Sequence, residues 1–191
     1  MRRSGHASLA IFYCDSEEDQ KSGLRGLLSS VLFQLCDQSK LYYDILLHLY
    51  VTHRHGAQDP SDDALVRCLM DILKCRGQGP VFLVIDGLDE CSDTSAIPSP
   101  RRSILLLLEE LISSYFPNLH ICITSRPEVD IQAVLQPWTF HSVSLDDEAG
   151  QMGDIIDYVR SIVDTDPEMR GWNSEDKQLI IDVLTERADG V

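Results

Sequence analysis

The 191-residue chain has little positive charge, no long apolar run and no closely paired cysteines. Its 16 Lys and Arg stand against 31 Asp and Glu, a formal net charge of -15. That balance excludes nucleic acid or an anionic membrane as a partner held by general basicity. The longest uncharged stretch, Leu111 to Ser125, contains Ser, Asn, His and Pro and falls short of the ~18 apolar residues of a membrane span. Arg2 and Arg3 precede Leu9-Ala10-Ile11-Phe12, but that apolar segment is very short for a signal peptide. Asp15, Glu17, Glu18 and Asp19 also stand where a small-residue cleavage site belongs, so the segment reads as a strand. Cysteines 14, 36, 68, 75, 91 and 122 form no C-x-x-C and read as small buried hydrophobes of a reducing, cytoplasmic compartment. His53 and His55 flank Arg54 without a third ligand at metal-binding spacing. No internal repeat or low-complexity tract occurs. With 43% hydrophobic and 25% charged residues, the remainder is ordinary globular sequence, enough for one domain or for one and the start of a second.

The most informative stretch is Pro80 to Cys91, PVFLVIDGLDEC. Val81 to Ile85 is uninterruptedly apolar, which predicts a strand buried on both faces, as in a parallel sheet covered by helices. Asp86 then falls at the strand's carboxyl end, where open α/β sheets bind ligands. An apolar strand running into D-G-L-D-E is the Walker B pattern of P-loop NTPases, in which the first acid holds Mg²⁺ and following acids polarise the attacking water. Gly87 allows a tight turn between the acids. Many purely structural α/β units end in the same way, and this alternative stays open on the segment alone.

Ala7 to Cys14 is a second predicted strand, followed by an acidic turn. Lys21 to Gln38 is the clearest helix, with Leu24, Leu27, Leu28, Val31, Leu32, Leu35 and Cys36 on one stripe. A helix over Leu41 to His53 is broken at Gly56 to Asp59. Ser61 then caps another over Asp62 to Lys74. Cys91 to Pro100 reads as an exposed loop, and Arg101 to Tyr115 as a covering helix whose ILLLL run faces the core. Leu119 to Thr124 is a short strand stopped at Ser125-Arg126-Pro127. Arg126 there can contact phosphate oxygens through its planar, permanently charged fork. Phe140 to Leu145 is the last predicted strand, and two helices follow it, one carrying Ile155 to Val163 and the other Leu179 to Leu184.

FYCDSEEDQKSGLRGLLSSVLFQLC, VFLVIDGLDEC and HICITSRPEVDI, in that order, resemble the NACHT branch of the STAND signalling NTPases, close to nephrocystin-type proteins abundant in fungi. The resemblance implies a P-loop NTPase-like parallel sheet flanked by helices and a nucleotide-driven switch binding ATP or GTP with Mg²⁺. Carried over, Asp86 is the metal residue, Asp89 and Glu90 are catalytic, and Arg126 with Ser125 is the nucleotide sensor. It also implies homo- or hetero-oligomers formed through NACHT domains. The sequence has no Gly-Lys pair, hence no G-x-x-x-x-G-K-[ST] cradle for phosphate. Residues 1–146 are therefore expected to be a core lacking its first βα unit, and residues 147–191 the start of a helical domain. Without that unit the chain is expected not to turn nucleotide over. The alternative is a non-catalytic interaction module that pairs with a complete NACHT protein.

Overall fold

The computed structural model describes residues 7–15, 23–75, 79–92, 98–144 and 151–187. Two compact units divide the chain, residues 1–138 and 139–191.

The first unit is an α/β fold around three parallel strands, β1 (Ser8–Tyr13), β2 (Val81–Asp86) and β3 (Leu119–Ile123), lying in that order with β2 central. Between β1 and β2 run α1 (Leu24–Cys36), α2 (Lys40–Thr52) and α3 (Asp62–Leu73); α4 (Pro100–Ser113) joins β2 to β3, and α5 (Val129–Leu135) follows. The expected helices are present with ends moved by at most three residues among those described; Lys21 and Ser22 lie outside the described residues. Their starts are chemically marked. Ser61 Oγ accepts the Ala64 N–H and Ser99 Oγ accepts the Arg102 N–H, each satisfying a donor that the first turn leaves over.

Both crossovers move across the sheet in the same direction, and right-handed connections then place their helices on one face. The sheet is accordingly one-sided. Ala10, Phe12, Val81, Leu83 and Ile85 are buried against Leu28, Val31, Leu69, Ile104 and Leu108. On the other face Phe82 is 38% exposed, Tyr13 66% exposed, and His120 and Cys122 are open to solvent. Phe82 and His120, paired across the strands, stack at 4.9 Å. The expectation that β2 is covered on both faces is thus corrected, because no crossover runs in the direction that would cover the second. Cys122, expected to be buried, is exposed for the same reason.

The two edges differ as well. Ser8 N–H donates to Pro80 O, just before β2, and Cys14 N–H to Asp86 O, so Leu9 and Ile11 turn their peptide groups outward. Gln34 Oε1 accepts the Ile11 N–H at 3.0 Å while Gln34 Nε2 donates to Ile11 O at 2.7 Å. Gln38 does the same for Leu9, at 2.9 and 2.7 Å. Two side-chain amides thereby take the place of a fourth strand. On β3, Asn118 O and Thr124 N–H face β2, so Ile121 and Ile123 point outward, and no described residue bonds to their peptide groups.

The second unit contains α6 (Gln151–Thr165) and α7 (Ser174–Arg187), which pack on each other and bury Val163 and Ile181. The strand expected over Phe140 to Leu145 does not form: residues 140–144 are irregular, with Phe140 97% and Val143 74% exposed. Alternating β-formers make a strand only when paired with a neighbour, and the described ones here pair with no strand; Leu145 lies outside the described residues.

Candidate functional site

The carboxyl ends of β2 and β3 meet in an acidic turn. After Asp86, Gly87 takes a left-handed conformation (φ 68°, ψ 45°) and opens a single 3-10 turn over Leu88–Glu90. A Cβ on Gly87 would meet only the flexible Glu90 side chain, at 3.4 Å or more, so it is the left-handed backbone angle that calls for glycine. Leu88 is fully buried and anchors the turn in the core.

Thr124, the residue after β3, ties this turn to the sheet. Its Oγ1 donates to Asp86 Oδ1 and accepts the Gly87 N–H at 2.9 Å, while its carbonyl accepts the Leu88 N–H at 3.0 Å. The orientation of Asp86 is therefore set by β3. Asp89 is used differently: Oδ1 accepts the Arg126 N–H at 3.0 Å, and Oδ2 lies 3.6 Å from Arg126 Nε. The Asp89 side chain is only 13% exposed and that of Arg126 is 81% exposed, so the acid is fixed and the guanidinium is accessible. Glu90 is exposed and forms no ion pair with a described residue. Ser125 Oγ donates to the carbonyl of Arg126 rather than toward the acids.

Arg101, in the first turn of α4, braces the turn from behind. Its Nη2 donates to Asp89 O at 2.7 Å and Nε to Cys91 O at 3.1 Å; Nη1 lies 3.5 Å from Asp130 Oδ1 of α5. One planar fork thus fixes two carbonyls of the turn, those of Asp89 and Cys91, and reaches a second helix. Cys91, expected in an exposed loop, is fully buried at the end of this brace; residues 93–97 of that loop lie outside the described residues.

Asp86, Asp89, Glu90 and Arg126 are thus gathered at one sheet end, with Ser125 adjacent but turned to its own backbone. Thr124 and Arg101 were not singled out in the sequence. Thr124 sits in a run that looks like ordinary strand, whereas Arg101 could have been sought as a cation in the helix following an acidic turn. Among the described residues no three His, Cys, Asp or Glu side chains converge to hold a metal. The oxygen donors of Asp86 and Thr124 suit a hard cation that takes its other ligands from water and phosphate. A shallow depression lined by Arg67, Asp71, Lys74 and Glu110 lies at the opposite end of the strands and includes none of these residues.

No curated protein and no solved structure matches the chain. A family model described as Nephrocystin 3, N-terminal matches residues 1–126, from before β1 through Arg126. It supports the nephrocystin-type part of the resemblance, whereas NACHT and STAND membership is no part of the match. Because well over half of the 191 residues are covered, the chain belongs to the Nephrocystin 3, N-terminal family.

Proposed function

We propose that the first unit is a partial nucleotide-binding core of NACHT type, completed when a P-loop βα unit is placed beside β3. The observation that carries this reading is the convergence of Asp86, Asp89 and Arg126 at the carboxyl ends of adjacent parallel strands. The vacant positions of the sheet support it too. A strand added at the β3 edge and connected back to β1 would cross in the reverse direction. The right-handed rule would put its helix on the exposed face of Phe82 and His120.

In this reading Asp86, oriented by Thr124, holds Mg²⁺, which would neutralise phosphate charge when bound. Asp89 is committed to the Arg126 backbone and acts as a brace. Glu90, exposed beside it, is the better placed of the two acids to polarise a water. Arg126, 81% exposed and 3.6 Å from Asp89 Oδ2 through Nε, has its guanidinium accessible to turn to a phosphate. The bound nucleotide, ATP or GTP, would govern assembly through NACHT domains. A second reading, a non-catalytic module that takes a partner's strand at the β3 edge, draws on the same open edge but needs none of the acids.

Calorimetric titration with Mg-ATP and Mg-GTP separates the two. The chain alone is expected to bind no better than millimolar and show no turnover, and the chain joined to a P-loop βα unit to bind much more tightly. Asp86→Asn in the joined form should remove the Mg²⁺ dependence, and Glu90→Gln should spare binding while slowing hydrolysis by ~10²–10⁴-fold. Micromolar binding by the chain alone would put the phosphates elsewhere. No gain on joining would leave the interaction module.

A further inference from the structure

The open groups of β3 have a symmetry of their own. Val81 N–H donates to Asn118 O and Thr124 N–H to Ile85 O, so the even-numbered residues of the strand spend their peptide groups on β2. Ile121 and Ile123 present theirs outward, and none bonds to a described residue. Leu119 differs, because its N–H is taken by Phe116 O at 3.1 Å. Ile121 and Ile123 therefore offer two donors and two acceptors, spaced evenly about Cys122. Pro117 and Pro127, which have no N–H to give a ladder, stand five residues to either side of Cys122.

The side chains repeat the pattern. Ile121 and Ile123, in register with the buried Leu83 and Ile85, are half-buried at the margin of the core. His120, Cys122 and Thr124 alternate with them and are exposed. No charged residue occurs from Leu111 to Ser125, in a chain whose formal net charge is -15. The strand thus offers a second acidic copy an approach free of like charge on the edge itself, and it has none of the lysines that blunt natural edge strands.

We propose that β3 is a self-association edge, on which a second copy of this chain pairs antiparallel about a two-fold axis at Cys122. Ile121 N–H then donates to Ile123 O of the second copy, Ile121 O accepts the Ile123 N–H of that copy, and symmetry repeats both bonds. This register satisfies every open group of Ile121 and Ile123. A two-fold axis at Ile121 would instead set Ile123 O against Leu119 N–H, which Phe116 already holds. On the covered face, Ile121 and Ile123 of both copies form one cluster that continues the core across the joint. On the other face the two Cys122 residues stand directly opposite, a non-hydrogen-bonded pair with Cα atoms ~4.5 Å apart.

Assembly stops at the dimer. The symmetric contact uses the β3 edge of both copies, and the outward groups of β1 are already bonded by Gln34 and Gln38. Two five-residue edges meet over only ~17 Å, less than the ~1,200 Å² of a standard stable interface requires, so the pair forms at high concentration and separates on dilution. The pairing needs none of the acids. It takes the edge at which the proposed reading places a P-loop strand, so that strand and a second copy exclude each other.

The test combines sedimentation velocity over a dilution series with brief oxidation of the native chain, digestion without reduction and mass spectrometry of the peptides. Sedimentation should show a monomer–dimer equilibrium, and oxidation should join Cys122 peptides of two copies. In a chain carrying Cys122→Ser and His120→Cys the thiol stays on the same exposed face, but the two sulfurs lie ~14 Å apart across the axis, so the cross-link should fall at least ~10-fold. Equal yields from the two positions would indicate chance collision and overturn the register. Cys122→Lys sets two ammoniums directly opposite and should shift the equilibrium toward monomer. A parent chain that sediments as a monomer at every concentration, or a dimer that Cys122→Lys leaves unchanged, would overturn the proposal. Neither result bears on the nucleotide reading, which the titration of the joined chain decides.

Discussion

The outer edge of β1 and the outer edge of β3 are made of the same backbone and end up in opposite chemical states. At β1, the amides of Gln34 and Gln38 bond both the donor and the acceptor of Ile11 and Leu9. At β3, the outward peptide groups of Ile121 and Ile123 meet no described partner, and the adjoining face carries Phe82 and His120 in solvent. Natural sheets close or blunt their edges because an unpaired strand is a template for another chain. Among the described residues one edge is closed by two dedicated side chains and the other is open, and the open one is where the proposed reading places a further strand.

The largest effect expected from breaking this asymmetry is on the closed side. Replacing both Gln34 and Gln38 with Leu keeps side-chain bulk but leaves four strand groups without their partners, and should lower the unfolding free energy by roughly 2–4 kcal/mol. Urea denaturation measures it directly. A loss below ~0.5 kcal/mol would mean that water serves β1 as well as the glutamines do.

Amide exchange compares the two edges without mutation. The Leu9 and Ile11 N–H groups should exchange roughly 10–100-fold more slowly than those of Ile121 and Ile123, because only the first pair is bonded and shielded. Equal protection at high concentration that separates on dilution would mean that a second copy occupies the β3 edge. Equal protection at every dilution would contradict the asymmetry itself.

The sequence makes the strands legible and their surroundings much less so. Val81 to Ile85 is apolar throughout, and such a run fits a doubly covered strand and a singly covered one equally well. What decides is the direction of the crossovers, a property of the topology and not of the run. Gln34 and Gln38, four residues apart, look like the solvated side of an amphipathic helix. Their role is visible only once β1 lies alongside. Asp86 and the turn after it are marked by composition, since an apolar run ending in acids is unusual. Thr124 carries no such mark, although its hydroxyl orients Asp86. Cys91 reads as loop because Ser and Pro follow it, whereas the Arg101 brace on its carbonyl holds it where it is fully buried. Phe140 to Ser144 errs in the other direction, with strand-forming residues that pair with no strand.

The smallest effect on stability is the most specific probe of the open side. Cys122 lies on β3 with its side chain exposed on the uncovered face, and its peptide groups point to β2. Cys122→Lys therefore removes no ladder bond and creates no cavity, and the unfolding free energy should change by no more than about 0.5 kcal/mol, as for exposed positions generally. The ammonium nevertheless stands on the strip that an incoming strand and its covering helix would have to dehydrate, which is how natural edge strands use lysine. Light scattering over a concentration series is expected to show less self-association for Cys122→Lys than for the parent, although the added cation reduces the formal net charge of -15 and so weakens general repulsion. The charge change alone predicts the opposite sign, so the direction of the shift identifies the β3 side as the contact. Greater association in the variant would show that net charge, and not this edge, controls assembly.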